Sequence, residues 1–193
     1  MGQEEKAYTP QNSVKVVTAT ALFDGHDASI NIMRRILQDT GAEVIHIGHN
    51  RSAKEVVDAA IEEDAQGIAV SSYQGGHVEF FKYMVDLLKE RNAGHIQVFG
   101  GGGGVIVPAE MDELHAYGVA RIYSPEDGVN MGLQGIINDM IQKMDVASID
   151  YDTLDYERLS IDEKYVTANF ITAVQEASSR PDPKLDEVRM RIS

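Results

Sequence analysis

Residues 14–41, VKVVTATALFDGHDASINIMRRILQDTG, change character twice within a short distance. The opening VKVVTATAL is a run of apolar and β-branched residues with the length of a buried strand. From Ala28 the apolar residues return at helical spacing. Ile30, Met33 and Leu37 form the stripe, Ile32 and Ile36 widen it, and Gly41 follows as a C-cap. Between strand and helix stand Asp24, Gly25, His26 and Asp27, polar residues where a buried element has just ended.

The same strand-then-helix unit recurs down the chain. AEVIHIG is the second strand, and Ser52 with Glu55 makes a capping box that opens AKEVVDAAIEEDA. GIAVSS is the third strand, with HVEFFKYMVDLLKERN as its helix. HIQVFG is the fourth, followed by PAEMDELHAYG with Pro108 near its start. VARIYS is the fifth, and EDGVNMGLQGIINDMIQKM closes the set. Parallel strands need crossover connections, so this alternation predicts an α/β fold with helices on both faces of a parallel sheet. The expected form is the flavodoxin-like, Rossmann-like doubly wound sheet of five strands in the order 2-1-3-4-5. Residues 1–13 read as a polar tail, 14–144 as the domain, and 145–193 as an acidic and helical linker toward a further domain. Within that linker, DVASIDYDTLDYERLSIDE carries seven acids against one arginine, and EKYVTANFITAVQEAS is a helix that RPDPK ends.

Composition narrows the function classes. With 17 basic against 31 acidic residues the formal charge is −14, which opposes binding to nucleic acid or to an anionic membrane. No apolar run is long enough to span a bilayer, and the polar start is unlike a signal peptide, so a cytoplasmic protein is expected. Without cysteine, thiolate-held zinc or iron–sulfur centres are excluded.

In a sheet of this kind ligands bind beyond the carboxyl ends of the strands. The unusual loops fall there: DGHDAS, SSYQGGH, GGGGGVIVP and SPEDG, the last beginning at Ser124. Gly100 to Gly104 are too many glycines for one turn, and their missing side chains admit a ligand to the backbone. No Lys-Ser or Lys-Thr follows them, so a phosphate-binding P-loop is a poor fit. His26 has three readings. It is a hydrogen-bonded loop residue, a general base facing Ser71 or Ser72, or a metal ligand whose other nitrogen Asp24 holds. One histidine is too few ligands for zinc, but enough for a metal carried in a macrocycle. His46 and His49 lie three apart on a strand and point to opposite faces, which disfavours a ligand pair. His77 contacts a ligand or caps its helix, and His95 and His115 are expected in solvated roles.

Asp24-x-His26, then Ser71-Ser72-Tyr73, then a Gly-Gly resemble the three-part motif of the base-off, His-on cobalamin-binding domains. Forty-one residues separate Ser29 from Ser71, which suits that family. Ser29 replaces the family's glycine and Tyr73 its leucine, and the Gly-Gly is either Gly100-Gly101 or Gly103-Gly104. FDGHDASINIMRRILQ, SSYQGGHVEFFKYMVDLLKE and VFGGGGGVIVPAEMDELHAYGVARIYSPEDG are most similar to the fused isobutyryl-CoA mutases. The resemblance implies adenosylcobalamin with His26 as the lower axial ligand of cobalt and Asp24 orienting it. It implies a nucleotide tail in a slot by Ser71, Ser72 and the glycines, with Gly25 beneath the corrin and Asp27, Ser29 and Ser124 nearby. Tyr73 covers the corrin edge or is a partly buried rim aromatic. It further implies radical interconversion of isobutyryl-CoA and n-butyryl-CoA, GTPase chaperone and substrate-barrel domains as partners, and a homodimer of the full enzyme. On that reading the chain is an amino-terminal fragment that binds without catalysing. The alternative is a freestanding cobalamin sensor or carrier. A receiver-like regulator fits less well, since Ser71 stands where its phosphoacceptor aspartate would be.

Overall fold

A computed structural model describes residues 5–25, 28–146, 164–179, 186 and 190. Its strands are β1 (Lys15–Ala21), β2 (Glu43–Arg51), β3 (Gly67–Ser71), β4 (Gln97–Gly101) and β5 (Arg121–Tyr123). Its helices are α1 (Ala28–Asp39), α2 (Ala53–Glu62), α3 (His77–Glu90), α4 (Pro108–Tyr117), α5 (Pro125–Met144) and α6 (Lys164–Ser179). The five strands pair in parallel in the order β2-β1-β3-β4-β5, as the sequence predicts.

Side chains alternate across the sheet and feed two cores. Val17, Ile68, Val70 and Val98 pack with Phe81, Met84 and Leu88 of α3 and with α2. Val16, Ala69 and Phe99 point the other way, against Leu37 of α1 and Ile137, Met140, Ile141 and Met144 of α5. Both faces are therefore covered, and all five residues of β3 are buried.

The capping box at Ser52 and Glu55 forms as expected, with the two side chains and backbones bonded reciprocally. A second one, Ser124 with Asp127, opens α5. β2 runs three residues beyond its expected end. Gly48 and Asn50 adopt positive φ, and the β1–β2 register shifts to follow them, so that Arg51 still pairs with Ala21. β5 is only three residues long. The glycine run is ordered into parts: Gly100 and Gly101 finish β4, and Gly103–Val105 form a 3₁₀ turn. α5 is broken at Gly132, whose φ of 67° and ψ of 173° only glycine adopts readily.

Residues ahead of β1 are tied to the end of α5. The Asp145 carboxylate accepts from Tyr8 Oη at 2.7 Å, from the Gln11 and Asn12 backbone N–H groups at 2.8 Å each, and from Asn12 Nδ2 at 2.8 Å. At the amino end of the sheet α6 buries Ala168, Phe170 and Ala173. There Tyr165 stacks obliquely 5.5 Å from His95, and Thr172 hydrogen-bonds the buried Asp64. Residues 147–163 and 180–185, which carry the acidic stretch and RPDPK, lie outside the described residues. Among the described residues no helix is long and apolar enough to cross a membrane.

Candidate functional site

A slot of about 320 Å³ opens at the carboxyl end of the sheet, between its α1/α5 face and those two helices. Ile30, Met33 and Leu37 form its α1 wall, Leu133, Ile136 and Met140 its α5 wall, and Ala69 and Phe99 its floor. Hydroxyls of Ser29, Ser71, Tyr73, Tyr123 and Ser124 supply the polar points, and no charged side chain lies among the described lining residues. Such a lining accepts a neutral, largely flat group with a few hydrogen bonds at its edges.

The strand ends are drawn together by backbone. Ser72 N–H donates to the Gly101 carbonyl at 2.8 Å. A Cβ on Gly102 would stand 2.0 Å from the Ser72 carbonyl oxygen, so this approach excludes any other residue. Gly103 has φ of 56°, and its missing Cβ makes room for the Tyr73 ring at 2.9 Å. Tyr73 then reaches across to Ser29, the two hydroxyls 2.9 Å apart. Gly100 lines the slot and has a packing role besides. Its Cβ would strike Phe81 at 2.3 Å and Ile122 at 2.7 Å, so it serves packing against α3.

Asp24 is 1 % exposed and its Oδ2 accepts the Tyr73 N–H at 2.6 Å. A carboxylate this buried needs such partners, and this one ties the loop after β1 to the loop after β3. Ser71 is also buried and donates to Thr20 Oγ1 at 3.3 Å. Ser124 caps α5, donating to Asp127 Oδ2 at 2.9 Å and accepting the Asp127 N–H at 3.1 Å. Tyr123 donates to Asp139 Oδ2 at 2.7 Å, and burial together with that carboxylate pushes its hydroxyl well up, so it stays protonated.

Of the residues expected in the site, Ser29, Ser71, Tyr73, Gly100, Gly101, Gly103 and Ser124 line the slot together. Asp24 and Ser72 lie beneath its rim, while Gly25 is exposed and a Cβ on Gly104 would meet open space. His26 and Asp27 lie outside the described residues. Sequence reasoning named the glycine run and the SPEDG loop without separating out Gly102 or Gly128, and it missed Thr20. The α1 stripe was visible as a helix face, though not as the wall of a binding site. His46 hydrogen-bonds Thr18 Oγ1 at 2.9 Å, and no group of three or more metal-ligating side chains occurs among the described residues. His115 is not merely solvated, because its Nε2 accepts the Ile122 N–H at 2.8 Å on the outer edge of β5. His77 caps nothing and instead joins two helices. A more polar groove of about 430 Å³ runs beside that edge, where Arg121 and Lys143 are already paired with Asp127 and Asp139.

A family model described as the B12 binding domain matches residues 14–131. Over 173 residues the chain is 61% identical to the fused isobutyryl-CoA mutase of Cupriavidus metallidurans, a match that covers 90% of this chain and 16% of that protein. It is 68% identical over 142 residues to the fused isobutyryl-CoA mutase of Geobacillus kaustophilus, covering 74% and 13%. The chain thus spans less than a fifth of the length of these relatives. A cobalamin-binding protein from Desulfitobacterium hafniense shares the fold, with a TM-score of 0.56 at 23% identity over 69% of this chain and 59% of that one. Sheet order, slot and sequence agree: the chain belongs to the B12-binding domain family.

Proposed function

We propose that this chain is the cofactor module of an adenosylcobalamin-dependent acyl-CoA mutase and binds its cofactor base-off, with His26 as the lower axial ligand of cobalt. The observation that carries the reading is the uncharged slot of about 320 Å³ at the carboxyl rim of a B12-binding domain. The residues present fit the group. A benzimidazole ring suits the walls of Ile30, Met33, Leu133 and Met140, and a ribose suits the hydroxyls of Ser71 and Ser124. Asp24 orients the His26 imidazole while holding the Tyr73 N–H, which fixes the tautomer and raises the ligand's basicity. Gly25 keeps the turn tight beneath the corrin, and Gly103 and Gly104, which are not buried, keep the backbone accessible at the rim.

The bound cofactor supplies a cobalt–carbon bond whose homolysis starts a radical 1,2-rearrangement, and the protein positions it. High identity to fused isobutyryl-CoA mutases supports interconversion of isobutyryl-CoA and n-butyryl-CoA as the reaction served. It also supports substrate-barrel and GTPase chaperone domains as partners, in a homodimeric enzyme. The chain spans only 16% and 13% of the length of these relatives, and on this reading it gives no turnover with isobutyryl-CoA by itself.

The axial assignment is tested by paramagnetic resonance of the cob(II)alamin complex made with nitrogen-15-labelled histidine. Hyperfine splitting from a protein imidazole is expected in the wild type and absent in His26→Ala. Splitting from the benzimidazole nitrogen in the wild type would refute it.

A further inference from the structure

The loops after β3 and β4 flank the slot, and a buried histidine joins them. His77, the first residue of α3, has a side chain only 7% exposed. Its Nδ1 lies 3.0 Å from the Gln74 carbonyl oxygen and its Nε2 2.9 Å from Glu110 Oε2. The same Glu110 oxygen accepts the Val107 N–H at 3.0 Å. That N–H first, and His77 second, hold the Glu110 carboxyl below its ordinary range, so it stands as a carboxylate and only accepts. A carbonyl oxygen also only accepts. Both ring nitrogens therefore face acceptors, and only a ring with hydrogen on each satisfies them.

The run Gln74–His77–Glu110–Val107 connects the loop carrying Ser72 and Tyr73 to the loop carrying Gly102 and Gly103. Nearer the sheet the same two loops are stitched by the bond from Ser72 N–H to the Gly101 carbonyl. The inner stitch fixes the strand ends, and the outer clasp fixes how far the loops splay.

We propose that His77, held as an imidazolium by Glu110, is a positioning residue that sets the gap between these loops and thereby the affinity for cobalamin. The proposal rests on the reading that the slot receives the cofactor. Loss of the ring's second proton takes the ring N–H from one of these acceptors and removes half of the ion pair. A ring that lacks either hydrogen no longer holds both loops, and affinity for cobalamin falls with it. The groups facing the His77 ring are the Glu110 carboxylate from α4 and the neutral Gln74 carbonyl from its own loop.

Two measurements test this. Nitrogen-15 spectra of the cofactor-free protein should show hydrogen on both His77 ring nitrogens at about pH 6; a neutral ring there overturns the proposal. Absorbance titration with cobalamin between about pH 6 and pH 9 supplies the second readout. His77→Ala should bind roughly 10-fold more weakly at the lower end. In Glu110→Gln an amide oxygen in the same place still accepts from the Val107 N–H and from one ring N–H, but it carries no charge to hold the ring as an imidazolium. That protein should bind more weakly than wild type and carry hydrogen on only one His77 ring nitrogen, and an affinity equal to wild type overturns the clasp. Absence of cobalamin binding by the wild type would overturn the functional reading, and with it the link to affinity, whatever the ring nitrogens show.

Discussion

Asp24 stands one turn beyond a buried strand with its Oδ2 on the Tyr73 N–H and 1 % of its surface exposed. Removing the carboxylate takes the acceptor from that half-buried N–H. Asp24→Ala is expected to lower stability by about 1–3 kcal/mol in urea unfolding, and Asp24→Asn by less, because an amide oxygen still accepts. An unchanged midpoint in Asp24→Ala would show that water or a neighbour substitutes. The sequence marks Asp24 as a residue with chemistry to do, through its spacing from His26. The bond to residue 73 is not legible there, because nothing local links positions 49 apart. Ser124 is an intermediate case. Ser-x-x-Asp at residues 124–127 follows the rule that identified Ser52 and Glu55, with a shorter acid in the third place. His115 was hidden for another reason: a histidine on an exposed helix carries no sign that a strand N–H lies within its reach.

Glycines in a row look alike in sequence and do different work once strands and loops are in place. Gly102 faces the Ser72 carbonyl, whereas Gly104 faces open space and has no positive φ. Gly102→Ala should therefore lower the melting temperature clearly, and Gly104→Ala should leave it within error of wild type. Equal effects would mean that the run acts only through its flexibility. At Gly132 the cost is conformational, since any Cβ there is strained whatever the space around it. Gly132→Ala is expected to cost about 1–3 kcal/mol in the same unfolding measurement. The order of strands and helices was legible because period 2 and period 3.6 alternate cleanly, and crossover geometry leaves few topologies for that alternation. The break in α5 was not, because GVNMGLQG keeps enough apolar residues at helical spacing to pass as continuous.

Across the whole domain two carboxylates give stability opposite dependences on pH. Burial raises the Asp145 carboxyl, but the hydrogen bonds from Gln11, Tyr8 and Asn12 outweigh it and bring the value from 3.8 to about 2. Its contribution is full above the unfolded value and is lost as pH falls toward 2. Asp64 is buried with one oxygen unpartnered, and burial pushes it up to about 6. Its folded form favours the proton, so its contribution is full below the unfolded value and is lost as pH rises through about 6. Asp64→Asn should then stabilise the protein by about 1–3 kcal/mol above that pH and not below it. Asp145→Asn should flatten the acid side of the stability profile. Urea midpoints across pH check both, and a uniform shift in either variant would contradict the assignment. The Asp145 contacts also bear on the timing of folding. Tyr8 and its acceptor are 137 residues apart, so the early part of a nascent chain waits for its partner to be synthesised. At the usual about 5–20 residues per second that delay is on the order of ten seconds. While β1 and β2 already have each other to pair with, the residues ahead of β1 are among the last to dock.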